Sequence, residues 1–215
     1  MDKKYWDKYY HKNQAPVHPS TFAEFCKSYI TPGSILLDVG CGNGRDSFYF
    51  SNLDDVKVFA CDQSESAILS LSESGENPDF RVSDVKDISV VFGFKFDVIY
   101  ARFFLHALDA KECSTFLKSI PFILNPNGLI MFECRSNKSD LFGEGVKVNE
   151  DTYLSKKTMN YEIKPHNRRF LDYNNLKKEI KALDFKIVYS LESSGLAEYK
   201  GDDPVIIRII GQKNE

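Results

Sequence analysis

The sequence lacks several features that mark particular classes of protein. No run approaches the roughly 18 apolar residues of a membrane-spanning helix, and the opening MDKKYWDKYYHKN has no apolar core of a secretory signal. Five cysteines are scattered, with no C-x-x-C pair and no zinc-type Cys/His spacing. We therefore expect a cytoplasmic protein with reduced, structural cysteines and no metal.

The sequence also has no excess of positive charge, no internal repeat and no low-complexity linker. The net charge of −3 argues against a general nucleic-acid binder. Apolar residues make up 42% and aromatic residues 13% of the 215 positions, a globular composition. This length suits one domain over 1–215.

What is present is an alternation of short β-rich runs with helical segments, which favours an α/β fold with a parallel sheet covered on both faces. Two further runs near the end of the chain predict an antiparallel hairpin at the sheet edge. The predicted strands are 34–39, 56–61, 79–84, 95–101, 128–134, 185–193 and 204–213. The predicted helices are 44–52, 64–73, 110–120 and one within 172–185, and the segment 135–170 is expected to be irregular.

Three glycines, Gly40, Gly42 and Gly44, follow the first predicted strand at alternate positions. Bare backbone between a strand and a helix N-terminus lets N–H groups approach a ligand closely. The dinucleotide pattern G-x-G-x-x-G fails because Arg45 stands three residues after Gly42, and no P-loop Lys-Ser/Thr follows. A dehydrogenase is therefore disfavoured. A turn that binds nothing is the structural alternative.

Acidic residues end three successive predicted strands, at Asp38, Asp62 and Asp84. A carboxylate at the second of these positions can accept hydrogen bonds from both hydroxyls of a ribose. An edge lined in this way suits a sugar, an adenine amino group and a cationic ligand better than a pyrophosphate.

These motifs, LLDVGCGNGRDS, VFACDQSESAI, RVSDVKDI and FDVIYARFFLHAL, resemble those of class I S-adenosylmethionine-dependent methyltransferases. The resemblance covers about residues 30–134 and implies a Rossmann-like, doubly wound, seven-stranded and mostly parallel sheet, with S-adenosylmethionine as cofactor and S-adenosylhomocysteine as product. It implies these cofactor contacts: Gly40, Gly42 and Gly44 at the methionine part, Asp62 at the ribose, Gln63, Asp84 and Val85 at the adenine, the backbone of Tyr100 and Ala101 at the amino-acid end, Asp38 at the loop or the ammonium, and Arg45 at the carboxylate. A solvated residue at the helix start is the alternative for Arg45.

We expect the residues that bind the methyl acceptor to lie in the segments that follow the fourth and fifth predicted strands. Arg102 and His106 are four positions apart and share a face if this piece is helical; a core histidine and an Arg102–Glu133 pair are the alternatives. The segment 135–170 has eight basic and five acidic residues, and therefore a net charge of +3. We interpret it as a substrate lid over a small anionic acceptor, and a solvated charged face is the alternative. The proposed anion-binding residues are Arg102, Arg168 and Arg169, beside Lys164, with His106 or His166 as the base for a hydroxyl acceptor.

The first residues carry an aromatic stripe, Tyr5, Trp6, Tyr9 and Tyr10. We interpret residues 1–30 as a helical cap over the cofactor, with Tyr9 reaching the acceptor; ordinary core packing is the alternative.

Other functions remain open. They are a methyltransferase acting on RNA or protein, which the acidic pI and the ARFF segment disfavour, and a catalytically silent cofactor-binding subunit of a partner enzyme. The tract from Phe132 to Phe170 is similar to lids of small bacterial methyltransferases of surface-glycan loci, which suggests a capsule precursor as acceptor. We expect a monomer or homodimer that binds no nucleic acid.

Overall fold

A computed structural model describes residues 3–12, 18–71, 77–155, 166–199 and 201–215. The helices are α1 (Lys3–Lys12), α2 (Thr21–Cys26), α3 (Arg45–Ser51), α4 (Glu65–Leu69), α5 (Ile88–Phe92), α6 (Ala110–Ile123) and α7 (Tyr173–Ala182). The strands are β1 (Ile35–Val39), β2 (Lys57–Asp62), β3 (Asp79–Val82), β4 (Phe96–Arg102), β5 (Leu124–Arg135), β6 (Val146–Lys147), β7 (Thr152–Ser155), β8 (His166–Arg169), β9 (Phe185–Ser193) and β10 (Ile206–Lys213).

Seven strands form one sheet in the order β3-β2-β1-β4-β5-β10-β9. The first five are parallel, and β10 pairs antiparallel with both β5 and β9. The predicted α/β fold, with its terminal antiparallel hairpin, is therefore confirmed. The strand order reverses between β1 and β4, which is where open α/β sheets bind ligands.

Side chains of the central strands alternate between two hydrophobic clusters, one on each face of the sheet. Leu37 and Ile99 join the cluster under α5, α6 and α7, whereas Leu36 and Tyr100 join the one under α2 and α3. Burial on both faces explains why these strands are continuously apolar instead of alternating. All five cysteines carry free thiols inside this fold.

Two parts of the predicted fold need correction. The segment 135–170 is not irregular throughout, because β6, β7 and β8 form a small antiparallel sheet within it. Strand β5 begins at Leu124, ahead of the predicted start at 128, and in its first residues the register against β4 shifts and Asn127 adopts a φ of 61°. This register shift is a bulge in the strand. Residues 72–73 of the predicted helix 64–73, parts of the cap (1–2 and 13–17) and lid residues 156–165, including Lys164, lie outside the described residues.

Across the described ranges, no helix combines the length and apolar character needed to cross a membrane.

Candidate active site

Two cavities open at the carboxyl ends of β1, β2 and β4. The inner cavity, of about 60 Å³, is bordered by Gln63, Ser83, Asp84, Val85, Leu108 and Glu112. The outer cavity, of about 490 Å³, is bordered by the aromatic residues of α1, the start of α3, the end of β4, residues 166–168 of β8 and the acids Glu198 and Asp202. Gly40, Asp62 and Phe104 border both, so one elongated ligand can occupy the two cavities across these residues.

The glycine loop after β1 places its three glycines in different roles. All three have positive φ angles, 73°, 55° and 74° in chain order, which side chains other than glycine rarely adopt. Gly40 borders both cavities, and the Tyr10 ring covers Gly42. A Cβ on Gly44 would lie 2.9 Å from Phe80, so this glycine allows helix and strand to pack closely and borders neither cavity.

Asp62 ends β2 and lies between the cavities. Its Oδ2 accepts from the Gly42 N–H at 3.0 Å and its Oδ1 from the Ser64 N–H at 2.9 Å. Burial raises the pKa of this carboxyl, and the two N–H groups partly offset that effect. The loop that carries the glycines is thus tied to the acid predicted to hold a ribose.

Gln63 gives the inner cavity an unused donor. Its Nε2 is buried and has no hydrogen-bond partner among the described residues, whereas a buried polar group normally has one. Ser83, Asp84 and Val85 border the same cavity. A planar, nitrogen-rich ring such as adenine fits a small, partly apolar cavity that is bordered by an amide donor and by the Asp84 carboxylate.

Two further acids flank the glycine loop. Asp38 is buried and accepts from the Ser47 hydroxyl at 2.6 Å, and burial raises its pKa to about 7. Asp46 accepts from the Ser20 amide, the Ser20 and Tyr100 hydroxyls and the Arg45 guanidinium. Burial opposes ionisation of Asp46, but Arg45 and Arg102 outweigh it and lower its pKa. Asp46 therefore fixes Arg45 at the border of the outer cavity.

A buried ion-pair network supports the floor of the outer cavity. The Glu133 carboxylate accepts from Arg102 Nε and from Arg208 Nε, each at 2.8 Å. Arg102 also lies 4.3 Å from the centre of the Phe103 ring. The predicted contact between Arg102 and Glu133 is confirmed, and Arg102 still borders the outer cavity.

The arginine pair of β8 separates into two roles, because successive side chains of a strand point to opposite faces. Arg168 borders the outer cavity. Arg169 does not; its Nε donates to Asp151 at 2.6 Å, on the other side of β8. Arg169 therefore does not border this cavity, and this position does not support its predicted contact with an acceptor. The segment predicted to be irregular is a strand here, and this is why the two arginines separate.

The other predicted acceptor residues border the outer cavity, including Tyr9, His106 and His166. His106 lies in a 3₁₀ turn (Leu105–Ala107) rather than on a helix shared with Arg102. Ala101 is a buried strand residue whose side chain joins the core cluster, and its predicted backbone contact with the cofactor stays a prediction. Arg135, which no motif pointed to, also borders the cavity. Its place at the carboxyl end of β5 is the signal that could have identified it.

Helix α1 lies over the mouth of the outer cavity and is attached to α4. Asp7 accepts from the hydroxyls of Ser64 and Ser66, at 2.7 and 3.2 Å, and Lys3 pairs with Glu65 at 2.8 Å. The Tyr5 ring stacks on His166, with ring centres 4.2 Å apart. The aromatic stripe thus bridges the glycine loop and β8.

A family model described as a methyltransferase domain matches residues 37–130. Phosphoethanolamine N-methyltransferase 1 of Arabidopsis thaliana is 35% identical over 136 residues, 56% of this chain and 26% of that protein. A candidate methyltransferase, 235L, of Invertebrate iridescent virus 6 is 31% identical over 86 residues, 40% of this chain and 32% of that protein. The chain thus spans about a third or less of these curated relatives.

Among solved structures, an S-adenosylmethionine-dependent methyltransferase from Methanosarcina mazei matches with a TM-score of 0.74 at 19% identity, over 88% of this chain and 97% of that one. At this identity the likeness establishes the fold alone.

Proposed function

We propose that the chain is a class I S-adenosylmethionine-dependent methyltransferase, which the methyltransferase-domain match over residues 37–130 supports, and that it methylates a small acceptor carrying a phosphate or carboxylate group. The observation that carries the proposal is the joining of the two cavities at Gly40 and Asp62. One cavity suits a nucleoside, and the other is bordered by guanidinium groups.

The residues of the chain fit the cofactor. Gln63, with its unused buried donor, and Asp84 would hold the adenine, and Asp62 would accept from the ribose hydroxyls. Asp38 and Arg45, at the start of the outer cavity, would meet the ammonium and the carboxylate of the methionine part. When bound, S-adenosylmethionine supplies an electrophilic methyl group on a cationic sulfur. The protein supplies alignment and an environment without bulk water.

The acceptor site is indicated by arginines that lack ion-pair partners. In the part of the chain that the structure describes, Arg135 and Arg168 form no ion pair, and Arg135 Nη1 is buried without a hydrogen bond. Burial and the neighbouring Arg168 lower the pKa of Arg135 to about 10, so both side chains stay charged at neutral pH. These two half-buried cations lie close together, and Asp202, which borders the same cavity, offsets part of their charge. An anionic ligand would balance the rest.

The acceptor class follows from this charge pattern. The planar guanidinium group of arginine binds carboxylates and phosphates through pairs of N–H groups. A cytoplasmic, phosphate-bearing precursor of a bacterial surface glycan is one acceptor that satisfies these requirements. The plant relative's printed name gives a second phosphate-bearing compound to try, phosphoethanolamine.

The test is release of S-adenosylhomocysteine by the purified chain with S-adenosylmethionine and a panel of phosphorylated and carboxylated small molecules, with RNA and peptides for comparison. We expect turnover with one anionic class, lost in Arg168→Ala and kept in Lys147→Ala, an exposed basic residue of the same small sheet. Turnover with RNA or peptide alone would contradict the proposed acceptor. Cofactor binding without any turnover would favour a silent subunit.

A further inference from the structure

The imidazole of His106 is held in one orientation by the backbone of the neighbouring strand. The Arg135 amide N–H, at the end of β5, donates to His106 Nδ1 at 3.3 Å. A neutral imidazole has one acceptor nitrogen and one nitrogen that carries hydrogen. Because Nδ1 accepts, Nε2 carries the hydrogen, and the ring presents a donor to the outer cavity that it borders.

The charged groups around His106 keep its ring neutral. Arg102 of β4, Arg135 of β5, and Arg168 and His166 of β8 all act on it, and burial acts in the same direction. Together they hold the pKa of His106 well below its usual value. Among the described residues no carboxylate forms an ion pair with His106, so nothing in its immediate surroundings favours a second proton.

The two arginines next to His106, Arg102 and Arg135, are donors only. Guanidinium groups have no acceptor atom, and Arg102 and Arg135 lie 4.3 and 5.6 Å from the Phe103 ring centre. Phe103 adopts a φ of 54°, a left-handed conformation that is costly for this residue. This conformation places its ring beside both arginines and His106, whose ring centre is 5.3 Å away.

A ligand group surrounded by such donors must accept hydrogen bonds. Among Arg102, Arg135 and His106 a hydroxyl would find no acceptor for its own hydrogen, and an ammonium group would be repelled by the two guanidinium charges. An ionised phosphate or carboxylate oxygen can accept from such donors and has no hydrogen of its own to place.

We propose that His106 is a fixed hydrogen-bond donor, not a general base, and that the enzyme methylates an oxygen that is already ionised. This inference rests on the proposed methyl transfer and deepens it. The ionised oxygen uses its own lone pair to form the new O–C bond, while the electron pair of the broken C–S bond stays on sulfur. No proton has to leave the acceptor, so the step needs no base, and the product is a methyl ester with one negative charge fewer.

The direct test is long-range ¹H–¹⁵N NMR on the ¹⁵N-histidine-labelled full chain, with His106→Gln identifying the His106 signals among those of four histidines. We expect a single tautomer with hydrogen on Nε2 that stays unchanged from pH 5.5 to 8.5. We also expect inorganic phosphate, added with S-adenosylhomocysteine, to shift the Nε2 resonance. An Nδ1–H tautomer, a titration near pH 6.5, or no response to phosphate would each overturn the proposal.

Two substitutions separate a donor role from a base role. His106→Gln keeps an N–H₂ donor, so the phosphate dissociation constant should change less than about threefold. His106→Leu removes the donor, and loss of a hydrogen bond to an ion should weaken binding by about 10- to 100-fold. Equal weakening in both variants, with unchanged melting temperatures, would contradict the donor role. Calorimetry of S-adenosylhomocysteine on the same samples keeps the two proposals apart, because failure of that binding would refute methyl transfer and leave the tautomer result intact.

Discussion

Substitution of the two neighbouring arginines of β8 should separate acceptor binding from stability. Arg168 borders the outer cavity, and a hydrogen bond from an ion contributes about 1.5–3 kcal/mol. Arg168→Ala should therefore weaken phosphate binding by about 10- to 100-fold. Its melting temperature should stay within about 2 °C of the wild-type value, because the described part of the chain gives Arg168 no ion pair to lose.

Arg169 should behave in the opposite way. Its side chain is 15% exposed and its partner Asp151 is 33% exposed, with the two atoms 2.6 Å apart. Breaking this partly buried pair should cost about 1–2 kcal/mol, which lowers the melting temperature of a chain of this length by about 2–8 °C.

Both effects can be measured on the same samples. Phosphate affinity is read by calorimetry with saturating S-adenosylhomocysteine, and stability by circular dichroism on heating. Lys147→Ala is the matched control and should change neither. We assign Arg168 to the face of β8 at the outer cavity and Arg169 to the opposite face. This assignment would be refuted if Arg169→Ala lost phosphate affinity at an unchanged melting temperature while Arg168→Ala bound phosphate normally.

Three further changes probe the cap and the glycine loop. Gly42→Ala places a methyl group 2.6 Å from Cζ of the Tyr10 ring, so α1 must move. S-adenosylhomocysteine should then bind at least tenfold more weakly in calorimetry. Unchanged affinity would contradict the closed position of α1. Asp7→Asn weakens the attachment to Ser66, so the dissociation rate of S-adenosylhomocysteine in stopped flow should rise, and an unaltered rate would exclude this attachment as a closure contact. Because the pKa of Asp38 is raised, its carboxyl keeps its proton in the folded state at pH values where the unfolded state has lost it. The contribution of Asp38 to the free energy of unfolding is therefore fully present below about pH 3.8 and is lost as the pH rises through about 7. Asp38→Asn should remove this loss, and chemical unfolding at pH 5 and 8.5 should show a smaller difference than in the wild-type chain; an equal difference would contradict the raised pKa.

The fold and the residues around the inner cavity were predictable because their signals are local. The apolar strand runs, the glycines at 40, 42 and 44 and the acid that ends β2 each lie within a few consecutive residues. Parallel strands bring such strand ends to one sheet edge. The sequence alone therefore predicts that Gly40, Asp62 and Gln63 lie close together, and all three border the inner cavity.

The acceptor side was less predictable because it depends on register and on distant pairing. Which of Arg168 and Arg169 faces the cavity is set by the pairing of β8 with β7, and a shift of one residue would exchange them. The buried contact between Glu133 and Arg208 joins residues 75 positions apart. The orientation of His106 depends on a backbone N–H of another strand, which carries no side-chain signal.

The single most direct measurement is calorimetric titration of the purified full chain with S-adenosylhomocysteine. We expect saturable 1:1 binding, weakened by about 10- to 100-fold in Asp62→Asn, because the substitution removes a charged acceptor at the junction of the two cavities. Asp54→Asn, at an exposed position, should bind like the wild-type chain. Absence of binding by the wild-type chain, or equal affinity in Asp62→Asn, would contradict a nucleoside cofactor held at Asp62.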